Sequence, residues 1–77
     1  MSADYTAAAE VAVERWVNTY VARGDPEPAA LAQLDQRYSD QIVRVLLRDD
    51  EVAEEALDRL RVVRRRRAAL REEAATP

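Results

Sequence analysis

The chain has 77 residues, 15 acidic and 12 basic, for a net charge of −3, with one Gly and neither Cys nor His. That composition excludes disulfides and the usual zinc sites, and removes the commonest general base and the thiol nucleophile. A chain of this length forms at most one domain and gains only about 3–5 kcal/mol from its own core, so oligomerisation or burial against a larger protein is the expected source of further stability.

Residues 1–3 are expected to fray, with Ser2 or Asp4 placed to cap a first helix over about 4–22. Along it Tyr5, Ala9, Ala12, Val13, Trp16, Val17 and Tyr20 fall on one face at helical spacing. Core packing explains Tyr5, Trp16 and Tyr20; their other reading is a partner surface, because aromatic side chains anchor interfaces. Gly24 suits the left-handed position after a helix end. A turn over 23–28 comes next, since no helix runs through both Pro26 and Pro28; Asp25 then Pro26 reads as cap and first helical residue. So short a connection favours antiparallel neighbours, and the first helix is expected to fold back on the helical segment after the turn.

A helical arm is predicted over about 27–73, with Leu31, Leu34, Tyr38, Ile42, Val45 and Leu46 as its main apolar stripe. Arg48-Asp49-Asp50-Glu51 allows two readings. Either the arm breaks at 49–50 and an aspartate caps a third helix, or one helix continues, because no Gly or Pro intervenes. Residues 74–77 are expected to be disordered. The fold class is therefore all-α: a helical hairpin or three-helix arrangement of one domain over 1–77.

Within the arm, Ile42, Leu46, Asp49, Ala53, Ala56, Leu60, Val63, Arg67 and Leu70 recur in alternating steps of four and three, the spacing of a heptad seam. Two copies packed antiparallel about an axis near residue 58 would set Leu46 on Leu70, Asp49 on Arg67, Ala53 on Val63 and Ala56 on Leu60. Parallel packing would instead set Asp49 on Asp49 and Arg67 on Arg67. An antiparallel homodimer is the expectation. The seam also fits two other arrangements, a monomeric bundle in which Asp49 caps a helix and Arg67 lays its stem over apolar surface, and packing on a larger protein partner.

Charge is divided along the chain. Residues 1–58 hold 13 acids and five arginines, whereas residues 59–77 hold seven arginines and two acids. Such asymmetry marks either a nucleic-acid contact or internal complementarity. Arg59, Arg61, Arg64, Arg65, Arg66 and Arg71 are the residues for the first reading. Against it, consecutive arginines on a helix point in different directions, and no aromatic residue beyond Tyr38 offers a stacking platform. Catalytic signals are absent: Ser2 and Ser39 sit in no nucleophile motif, one glycine makes no phosphate loop, and only Arg67 clearly turns inward to hold an anion between helices, joined by Arg44 if Val43 and Leu47 are both buried. Asp49, Asp50, Glu51, Glu54 and Glu55 lack calcium-loop geometry and read as a solvated face.

No cofactor, metal or small-molecule substrate is expected. The N-terminal segment has no basic stretch before an apolar run, and the longest apolar run is residues 29–32, so neither a signal peptide nor a membrane span is expected. The sequence points to a cytoplasmic interaction protein, an adaptor, regulatory partner or accessory subunit. Its arginine-only cations and many alanines match the codon usage of a GC-rich bacterial genome or of its phage.

Overall fold

The computed structural model describes residues 5–75, with side chains from residue 7 onward. They form three helices, α1 (Tyr5–Ala22), α2 (Glu27–Val45) and α3 (Asp50–Ala75), and no strand occurs among the described residues. The all-helical fold is as the periodicity predicts. The expected caps Ser2 and Asp4 lie outside the described residues.

Helix α1 ends because Gly24 takes φ 102°, a backbone region that costs a residue with a Cβ. This lets the Asp25 N–H donate back to the Tyr20 carbonyl at 3.1 Å and the Gly24 N–H to the Val21 carbonyl at 2.9 Å. Those two bonds make a Schellman motif and satisfy carbonyls that the helix end leaves open. Helix α2 starts at Glu27, the bound expected for the arm, but the cap is one residue later than the Asp25-Pro26 reading has it: Pro26 is the N-cap, with φ −66° and ψ 152°, and Pro28 stands inside the first turn. Neither proline removes a bond there, since first-turn N–H groups have no intrahelical acceptor.

Of the two readings of the arm, the broken one holds. Helix α2 ends at Val45, residues 46–48 form a turn, and α3 starts at Asp50. No glycine is needed, because no non-glycine residue among the described residues takes positive φ and Leu46 keeps a helical backbone. The break is made by Asp49, whose Oδ1 accepts the N–H groups of Glu51 at 3.1 Å and Val52 at 3.2 Å. An aspartate in that position stabilises a helix by about 1 kcal/mol. Asp50 and Glu51 add negative charge at the positive helix end. At the other end α3 includes Ala74 and Ala75, so the helix runs two residues into the segment expected to be a disordered tail; Thr76 and Pro77 lie outside the described residues.

The core forms where one stripe from each helix meets. Helix α1 supplies Ala9, Val13, Val17 and Tyr20; α2 supplies Ala30, Leu31, Leu34 and Tyr38; α3 supplies Leu60, Val62 and Val63, with Trp16, Ile42 and Leu70 packed at its edge. Val13, Leu31, Leu34 and Val63 are fully enclosed. Between α1 and α3 the small residue Ala9 allows close approach, which compensates for the few large side chains available.

Candidate functional site

Most of the heptad seam is used inside one chain. Ala53, Ala56, Leu60 and Val63 are buried in the single chain, and Ile42 and Leu70 lie against the core. Asp49 caps α3, while Arg67 on α3 reaches Asp35 of α2 at 3.0 Å. The antiparallel pairing expected through these positions would thus require the three helices to separate. Leu46 is the apolar seam residue left largely outside, in the turn, at 54% exposure, and the capping Asp49 is exposed beside it.

The arginines divide their contacts among all three helices. Arg65 lies 3.9 Å from Glu10 on α1, and Arg66 lies 3.2 Å from Glu27 on α2. Arg64 and Arg67 share Asp35 of α2, at 3.4 and 3.0 Å, and the Ser39 hydroxyl donates to the same carboxylate at 3.5 Å. Arg59 pairs with Glu55 and Arg61 with Asp58 along α3 itself. Four consecutive arginines turn about 100° per residue, so they address different neighbours rather than one plane. Arg71 is exposed and borders a cleft with Pro28 and Leu70. The division of charge along the sequence is thus matched by ion pairs within the fold. Each pair is half-exposed and contributes about 0–1 kcal/mol; together they fix how α3 sits on α1 and α2.

Of the aromatic candidates, Tyr20 is buried in the core. Trp16 is half-buried, 6.0 Å from the Tyr20 ring, and the Arg37 guanidinium lies 4.3 Å above it. That cation–π contact clips α2 to α1 and covers one face of the indole. The Tyr5 side chain lies outside the described residues.

A different surface is left uncovered. At the α2–α3 turn Val43, Leu46 and Leu47 are 79%, 54% and 98% exposed, and Leu57 is 38% exposed. Ile42, Leu46, Ala53 and Leu57 line a shallow groove between the end of α2 and the start of α3, with Asp50 and Glu54 on its rim. Its position follows from the helical turn: Glu55, Arg59 and Val62 face α1, so Asp50, Glu54, Leu57, Arg61 and Arg64 fall on the side turned away from it. Val43 and Leu47 widen the apolar stripe of α2 beyond what one neighbour covers, which is the sequence signal for a second contact there, whereas apolar spacing does not single out Leu57.

The groups available for chemistry are few. Among the described residues no three acidic side chains converge to hold a metal ion. The Tyr38 hydroxyl is buried and has no hydrogen-bond partner. Burial pushes that phenol above its ordinary value of 10.0 and Tyr20 adds to the rise, while the charges of Arg59 and Arg37 oppose it. No helix among the described residues is long and apolar enough to cross a membrane. No protein-family model, curated protein or solved structure matches the chain.

Proposed function

We propose that this chain is a small non-catalytic interaction protein, an adaptor, regulatory partner or accessory subunit acting in the cytoplasm. It docks a protein on the face formed by the end of α2 and the start of α3. One observation carries the reading: Val43, Leu46, Leu47 and Leu57 stay in water in a chain short of large apolar side chains. Leaving Leu47 outside forgoes roughly 1.5–3 kcal/mol that burial would supply, and the less exposed Val43, Leu46 and Leu57 forgo proportionately less. A clustered apolar patch rimmed by charge is the usual mark of a protein contact.

A nucleic-acid-binding regulator using Arg59, Arg61, Arg64, Arg65, Arg66 and Arg71 has less support. All of these but Arg71 lie within 4.0 Å of a carboxylate of the same chain, so a phosphate would have to displace an existing partner.

The test is photo-crosslinking in extracts of the cells that encode the chain. A photoreactive residue is placed at Val43 or at Leu47, with Asn18 on the exposed side of α1 as control. Adducts to protein, whether a second copy or another chain, should form from 43 and 47 and not from 18. Equal yields from all three positions, or adducts from 18 alone, would contradict the reading.

A further inference from the structure

The uncovered side of α3 carries a second heptad stripe. Asp50, Glu54, Leu57, Arg61 and Arg64 recur in steps of four, three, four and three, and each keeps its side chain at least partly in water. Two acids precede the leucine and two arginines follow it. Five acids, Glu10, Glu27, Asp35, Glu55 and Asp58, each have an arginine within 4.0 Å, whereas Asp50 and Glu54 are among the acids that have none among the described residues. Arg61 and Arg64 already touch Asp58 and Asp35 at 3.4 Å, but they keep 66% and 62% of their side chains in water, so each guanidinium has donors left for a second carboxylate.

This order is its own complement when reversed. If a second α3 is laid antiparallel on the first, with the two-fold axis near residue 57, Leu57 meets the partner's Leu57. Asp50 then lies level with the partner's Arg64, and Glu54 lies one residue, about 1.5 Å, from level with the partner's Arg61, within side-chain reach. Symmetry forms each pair twice. The next stripe position, Ala68, is exposed and small. In this register the partner's Ala68 passes beyond the first turn of α3 and reaches the connecting turn, where Leu46 and Leu47 stand. The apolar end of α2 is then covered as well. Parallel packing would set acid on acid and arginine on arginine, so the same charges select the orientation.

We infer that a second copy of this chain is the occupant of the docking face, packed α3 against α3 in antiparallel register about Leu57, with Glu54–Arg61 and Asp50–Arg64 pairs across the two-fold axis. The inference rests on the docking reading above and names its partner. It keeps the polarity expected from the sequence but moves the contact from the inner seam to the outer stripe, leaving the three-helix core intact. The interface is isologous, so each residue contributes twice.

Light scattering on purified protein tests it, with helicity and thermal melting followed by circular dichroism to confirm that each variant folds. Wild type should reach twice the chain mass as concentration rises. Glu54→Arg sets arginine against the partner's Arg61 at two places, and Arg61→Glu sets acid against the partner's Glu54. Each should weaken association about tenfold or more while the helical signal is kept. The double variant Glu54→Arg with Arg61→Glu restores opposite charges and should recover most of the lost association. A monomeric wild type, single variants that associate as well as wild type, or a double variant no better than the singles would each overturn the inference. Failure here is distinct from failure of the docking reading: a monomeric protein that still crosslinks another chain from positions 43 and 47 removes only the second copy.

Discussion

Helix α3 carries two stripes with the same spacing and opposite fates. The inner one, Ala53, Ala56, Leu60 and Val63, is covered by α1 and α2, while the outer one, Asp50, Glu54, Leu57, Arg61 and Arg64, faces water. Heptad spacing gathers residues on one side of a helix and says nothing of what lies opposite. Residue type decides: small and branched apolar groups close a core within the chain, and charges flanking one leucine leave a face that only an oppositely ordered surface matches.

Substitutions at the two faces separate them by size of effect. Leu34→Ala, at the centre of the closed side, should cost about 2–5 kcal/mol, comparable with the whole stability of so small a domain. Denaturant titration should show loss of the folded baseline at 25 °C; a small shift of the midpoint would mean that the core is looser than described. Arg67→Glu removes the 3.0 Å ion pair with Asp35, turns a second carboxylate toward it and should cost about 1 kcal/mol, less at high salt. Its association should match wild type, since Arg67 is used within the chain; a variant that folds as a monomer would return the contact to the inner seam.

Tyr38→Phe removes a buried hydroxyl that has no partner, and should leave stability unchanged or raise it by up to about 1 kcal/mol. The same residue sets a pH dependence. Its folded value is raised, so the stability tied to the neutral phenol is complete below the unfolded value near 10.0 and lost as pH rises through the folded value. Melting temperature should therefore fall more steeply above pH 10 in wild type than in Tyr38→Phe. Parallel curves would show that the phenol ionises without cost. The smallest effect belongs to the open side: Leu47→Ser, at a position 98% exposed, should change the unfolding free energy of the monomer by less than about 0.5 kcal/mol while weakening association.

The same contrast explains which parts of the molecule are legible in the sequence. The helical segments show in the apolar period, though not whether the arm is one helix or two, and the first turn shows in Gly24 and the prolines, because those residues restrict the backbone locally. The second turn is ambiguous because 46–49 contain no such residue. A single carboxylate makes the break, and Asp49 fits a seam as well as a cap. The partner of Arg67 is not legible, since Asp35 lies 32 positions away on another helix and nothing near it in sequence marks the meeting. The docking face is hidden for a related reason. A search for apolar spacing selects the inner stripe, whereas the outer one shows itself only as an order of charge once the fold has assigned each side of α3.

The most direct test of the account is a dilution series followed by amide chemical shifts. Packing through the outer stripe predicts changes at Val43, Leu46, Leu47, Glu54, Leu57 and Arg61 as the protein is diluted, with Ala53, Ala56, Leu60 and Val63 shifting least because the core stays closed in the monomer. Changes concentrated at those four inner positions, or none at any concentration, would contradict it.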